Sequence, residues 1–179
     1  VVIEVKKNQP LSAIVKELRE TKVIPYPELF YWYIAASGDG RNIKAGEYQV
    51  FADDSTKELI QRLLAGTTYF RSITFIEGWT LKQLQKELND NPFLRHDSAR
   101  YSSEKLRKKL KIKHQSLEGM FYPDTYFFAK GTSDIVILRQ AHRSMRRVLK
   151  YYWSKRAKQL PYRSPYQVLI AASLVEKET

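Results

Sequence analysis

Two glutamates stand at the end of the chain. The final stretch, Tyr166–Thr179, reads YQVLIAASLVEKET: almost continuously apolar from Val168 to Val175, then Glu176 and Glu178. Desolvation disfavours the charged form of a carboxyl group on an apolar helix and raises its pKa. A proton donor working near neutral pH needs that condition. The competing account is ordinary solvated charge at a helix exit, because Glu is mostly exposed in folded proteins. At about 100° per residue the two glutamates point roughly 200° apart if the helix continues through them. They cannot then share one cleft, which disfavours a paired-carboxylate glycosidase site built from this helix. One of them could act alone. Glu178 lies on the side of Ala171, Leu174 and Val175, and Glu176 on the side of Leu169, Ala172 and Ser173. Both have apolar neighbours, so helical geometry leaves the choice open.

A second stretch concentrates unusual residue types. Leu117–Ala129 reads LEGMFYPDTYFFA and packs Glu118, Gly119, Pro123, Asp124 and five aromatic residues into one loop-like run. Gly119 permits special backbone angles, and Pro123 pushes Tyr122 towards an extended conformation. Asp124 before Thr125 suits a side-chain-capped turn. Such a run either seals a core or walls a ligand cleft. His142 sits beside an apolar helical stripe with no metal-ligand spacing around it, and reads as a packed or surface residue. There is no Cys, which excludes disulfides and thiolate metal sites.

The elements that must position these residues follow from periodicity and caps. Val1–Val5 is a β-branched run and reads as a strand. Leu11, Ile14, Val15 and Leu18 recur at helical spacing, and Tyr26–Ala36 reads as a second helix. Glu47–Phe51 reads as a strand. Ser55 with Glu58 predicts a capping box for a helix closed by Gly66. This β-α-α-β order, with the K-A-G-E-Y turn at Lys44–Tyr48, is similar to that of LysM modules, which bind the glycan backbone of peptidoglycan or chitin. Tyr69–Ile76 reads as a strand opening a second unit. Thr80 caps the next helix, Ser102–Lys111 is a basic helix, and a long helix runs from Ser133 to about Lys158. Ser164 as N-cap and Pro165 at the first position start the last helix. The expected class is α+β: a small LysM-like module over residues 1–68, then a largely helical domain with short strands over 69–179, which the family resemblance given below implies is a truncated catalytic domain.

Composition narrows the function classes. The chain has 179 residues, 43% hydrophobic and 28% charged, and is globular rather than disordered. Its net charge is +12. Much of the positive charge lies in Lys105–Lys113 and Arg139–Lys158, which suits an anionic partner or a solvated face. Nucleic-acid binding would rest on that charge alone, without a motif, and is not expected. A basic face also suits a domain above anionic lipid.

The chain resembles the MltG (YceG-like) family of endolytic murein transglycosylases. The resemblance is carried by EGMFYPDTY (Glu118–Tyr126) and, some fifty residues on, AASLVEKET (Ala171–Thr179). Lys44–Tyr48, I-E-G-W-T at Ile76–Thr80 and L-P-Y at Leu160–Tyr162 are similar too. Met120 stands where the family commonly has Trp. The resemblance implies that Glu178, the second Glu of E-x-E-T, is the catalytic residue. It would protonate the glycosidic oxygen between N-acetylmuramic acid and N-acetylglucosamine, then act as base on the muramyl C6 hydroxyl, leaving a 1,6-anhydro end. Neither metal nor cofactor is implied. Glu118, Tyr122, Asp124 and Tyr126 are the candidates for binding substrate. The resemblance further implies glycan strands as substrate, the peptidoglycan synthesis machinery as partner, and a single-pass inner-membrane protein facing the periplasm, its N-terminal membrane helix absent here. The family's catalytic domain continues beyond E-x-E-T, so this stretch is expected to show little or no activity. The rival reading is a non-catalytic peptidoglycan-binding module.

Overall fold

A computed structural model describes residues 1–22, 24–157 and 159–178, the side chains of Lys177 and Glu178 excepted. The fold is α+β, with seven α-helices and two two-stranded sheets among the described residues. It divides into two compact units, Val1–Arg71 and Ser72–Thr179.

The first unit runs β1 (Val2–Val5), α1 (Leu11–Thr21), α2 (Pro27–Ser37), β2 (Gly46–Gln49) and α3 (Thr56–Ala65). β1 and β2 are antiparallel, with Ile3 opposite Tyr48 and Val5 opposite Gly46. Strand alternation sends Ile3, Val5 and Tyr48 inward. They meet Ile14, Val15 and Leu18 of α1, Phe30 and Ile34 of α2, and Leu59, Ile60 and Leu63 of α3 in one core. The capping box on α3 forms as expected: Ser55 accepts from the Glu58 backbone N–H, and Glu58 accepts from that of Ser55. Gly66 closes α3 with φ +76°, and a Cβ there would lie 2.5 Å from the Lys44 side chain. α2 begins at Pro27, a residue later than its apolar pattern suggests, because proline is preorganised for the first helical position.

The chain of the second unit continues from β3 (Arg71–Thr74) through α4 (Leu81–Asp90), α5 (Ser103–Leu110), β4 (Thr125–Phe128), α6 (Asp134–Ser154) and α7 (Pro165–Glu178). β3 pairs with β4. Ile73, Phe75, Leu84, Leu88, Leu106, Leu110, Tyr126, Phe128, Leu138 and Ala141 share its core. The strand inside the LEGMFYPDTYFFA run departs from the loop-like reading. In β4, Tyr126 and Phe128 face inward while Thr125 and Phe127 face out. Aromatics on both faces hide that alternation in the sequence, and four residues are too few for a periodic signal. The long helix stops at Ser154 rather than near Lys158. Lys158 itself lies outside the described residues.

Asp134 opens α6 and is completely buried. Its two carboxyl oxygens accept from the Ser98 N–H at 2.9 and 3.1 Å, and one also accepts from the Ser98 hydroxyl. Its own N–H donates to the Arg95 carbonyl at 3.0 Å. The irregular segment after α4 is thereby bound to the start of the long helix.

Candidate active site

The two stretches singled out by residue type meet inside the second unit. Gly119 takes φ +72°, and a Cβ on it would stand 3.3 Å from Leu169 Cδ2 of α7, so loop and helix are in close approach. The His114 ring lies over that of Tyr166, with centroids 3.7 Å apart and planes at 36°. Tyr166 and Leu169 also pack against the unit's core. The loop is therefore seated against the first turns of α7.

The other side of the loop is clamped to the middle of α6. The Tyr122 N–H donates to the Ala141 carbonyl at 3.1 Å. The Met120 carbonyl lies 3.0 Å from His142 Nδ1, and because a carbonyl only accepts, Nδ1 carries the proton. Met120 itself is buried in the core rather than presented to solvent. His142 is thus packed rather than at the surface, the alternatives its place beside the apolar stripe left open, and it does more than fill space. Nothing local in the sequence marks it as an anchor, since its partner is a backbone carbonyl 22 residues away.

Burial is the main cause that lowers the pKa of His142; Arg146 lowers it further, and the bond to Met120 opposes both. The folded state then binds this proton less readily than the unfolded chain, where a histidine titrates near 6.5. The stabilising contribution is present above that value and is lost as pH falls through the folded pKa. We expect the melting temperature to fall as pH drops below about 6.5, and His142→Gln to flatten that limb. Thermal melts of both proteins at half-unit pH steps test this; parallel curves would remove His142 as the cause.

The four candidate binding residues have different surroundings. Glu118 is exposed, and its Oε1 accepts from the Leu81 N–H at 2.9 Å, one of the orphan donors at the start of α4. A cleft of about 540 Å³ lies here, lined by Leu81, Arg107, Gln115, Ser116, Leu117 and Glu118 among others. Asp124 is exposed; its Oδ1 accepts from the Thr125 N–H at 2.8 Å, and its carbonyl accepts from the Phe75 N–H at 3.0 Å. Tyr122 is half-buried. Tyr126 is buried, tilted against Phe75, and its hydroxyl donates to the Tyr122 carbonyl at 2.6 Å. Burial, then the nearby Asp124, push its phenol pKa strongly upward.

α7 is not buried along its length. Its start is packed, but Ile170, Leu174 and Val175 are 46, 62 and 64% exposed. Glu176 is exposed as well. A helix apolar on most of its surface needs cover on more than one side, and the loop and core reach only its first turns. The desolvation expected around the terminal glutamates is not provided by the described residues. Glu178 ends the helix, and its side chain lies outside them. No group of His, Asp and Glu among the described residues is arranged to hold a metal ion, and none of their helices is long and apolar enough to cross a membrane.

Residues 3–179 match the YceG-like family. An endolytic murein transglycosylase of Streptococcus pneumoniae (strain ATCC BAA-255 / R6) is 24% identical over 209 residues, covering 99% of this chain and 37% of that protein. Its counterpart in the serotype 2 strain D39 / NCTC 7466 matches with the same identity and coverage. The chain therefore spans little more than a third of the length of these relatives. A crystal structure of a yceG-like protein from Listeria monocytogenes superposes with a TM-score of 0.42 at 22% identity, covering 86% of this chain and 56% of that one.

Proposed function

This chain belongs to the YceG-like family, and from that premise we propose that it is part of an endolytic murein transglycosylase that cuts peptidoglycan between N-acetylmuramic acid and N-acetylglucosamine. The observation that carries the reading is the close approach of Gly119, in the Glu118–Tyr126 segment, to Leu169 of the helix that bears Glu178. Two segments some fifty residues apart, each rich in groups able to handle a sugar, are folded against each other.

In this reading Glu178 is the acid. Its proton goes to the glycosidic oxygen as the C1–O bond breaks and oxocarbenium character develops. The carboxylate then takes the proton of the muramyl C6 hydroxyl as that oxygen bonds to C1. The product is a 1,6-anhydro end, with no water consumed and the acid regenerated. Glu178 lies nine residues beyond Leu169, about 14 Å along the helix axis. The loop that meets Leu169 would therefore bind sugars flanking the cut rather than the scissile oxygen. Glu118 and Asp124 offer exposed carboxyl groups for hydroxyls, Tyr122 offers a ring edge, and Tyr126 holds the Tyr122 backbone in place.

The first unit fits a LysM-like glycan-binding module, supported by its strand-helix-helix-strand order. Placement at the periplasmic face of the inner membrane, beside the machinery that synthesises peptidoglycan, completes the proposal. The test is mass spectrometry of murein incubated with the protein expressed from its complete gene. Anhydromuramyl ends from mid-strand cuts are expected. Murein bound but left uncut would favour the rival, a binding module without catalysis.

A further inference from the structure

The exposed side of α6 carries a row of positive charge that the proposed reaction does not use. Arg139, Arg143, Arg146, Arg147 and Lys150 are all exposed. At about 100° per residue they fall within an arc of roughly 100° on one side of the helix, opposite the face that buries Leu138, Ala141 and Met145. Three of their pairs, 139/143, 143/147 and 146/150, are spaced i,i+4, where like charges repel and weaken a helix. Three cations elsewhere in this unit are paired at short range, Lys86 with Asp90, Arg95 with Asp97 and Lys108 with Glu104, each at 2.7 Å. Among the described residues none of the five on α6 has an ion-pair partner. The row costs folding stability and returns none, which points to an anionic partner outside the chain.

The shape and chemistry select that partner. From Arg139 to Lys150 the row is about 16 Å long and stands on the convex ridge of a helix, a form that suits a flat surface rather than a strand needing a groove. Four of the five are arginines, whose planar fork matches phosphate. Between Arg139 and Lys150 no other side chain falls within the arc, so over that length the row offers cations alone. We propose that this face of α6 docks on an anionic phospholipid surface. Basic residues near such a surface each add about a fivefold factor in affinity. The inference stands independently of the transglycosylase reading.

Vesicle co-sedimentation of this chain tests it. Binding is expected to vesicles with about 30% phosphatidylglycerol, and not to pure phosphatidylcholine. Raising salt from about 0.1 to 1 M shortens the screening length from about 10 to 3 Å and should release the protein. The triple variant Arg139→Gln, Arg143→Gln, Arg147→Gln should bind at least about tenfold more weakly. Removing three exposed charges elsewhere, with Lys82→Gln, Lys105→Gln and Lys113→Gln, should cost less than about threefold. The reversal Arg143→Glu with Arg147→Glu should abolish binding, circular dichroism confirming that each variant is folded. Equal binding to both vesicle types would overturn the proposal. So would equal losses in the two triple variants, or tighter binding to duplex DNA than to the anionic vesicles at the same salt.

Discussion

Replacing Glu178 by Gln, in the protein expressed from its complete gene, is expected to lower the release of anhydromuramyl ends by about 10²- to 10⁴-fold. The amide keeps the size and most of the hydrogen-bonding shape of the acid but has no proton to give at neutral pH. In a one-acid reaction both the cleavage and the ring closure pass through this group, so no second residue covers for it. Murein binding should change little, because the glycan contacts proposed for the Glu118–Tyr126 loop lie about 14 Å away along α7. Glu176→Gln is the internal control, and its rate should stay close to that of the unaltered protein. Anhydro-end counting by mass spectrometry, alongside a murein pull-down, separates the outcomes. Undiminished release from the Glu178 variant, or an equal loss in the Glu176 variant, would remove Glu178 as the acid.

The largest stability effect is expected at Asp134. Its buried carboxyl group takes three hydrogen bonds from Ser98, and its backbone N–H reaches Arg95. Asp134→Ala leaves the buried Ser98 N–H and hydroxyl without their acceptor. Losing such bonds and stranding their donors costs about 3 kcal/mol. For a unit of this size that corresponds to a fall of roughly 10 °C in melting temperature. Asp134→Asn keeps one acceptor oxygen and should lose about half as much. Ser98→Ala should cost less than Asp134→Ala, and the double variant should fall short of the sum, because the two residues share the same bonds. A shift below about 2 °C for Asp134→Ala would mean that this network does not hold the segment after α4 to α6. Since α6 carries the Ala141 and His142 contacts to the motif loop, partial loss of loop order should accompany the loss of stability.

Local chemistry made much of the fold legible. Ser55 and Glu58 announce α3, Thr80 announces α4, and Ser164-Pro165 announces α7, because a cap is satisfied by residues three positions away and needs nothing distant. The apolar spacing of α1 named its buried face for the same reason. β4 escaped because its alternation is written in aromatics on both faces. The candidate site divides in the same way. Residue types alone marked the Glu118–Tyr126 run and the two terminal glutamates as unusual. They could not say that Tyr126 turns its hydroxyl onto the Tyr122 carbonyl, or that Met120 is held by His142.

From the amino-acid order came the α+β class, most of the element boundaries, the family and the residues worth testing, since each depends on neighbours along the chain. Only the tertiary structure decided that the motif loop lies between α6 and α7. It alone decided that Ile170, Leu174 and Val175 are exposed, and that the basic row on α6 has no ion-pair partner among the described residues. The physical reason is that burial and charge pairing are properties of whatever packs against a face. A helix can show which of its faces is apolar or basic, but another element, or its absence, determines what that face meets.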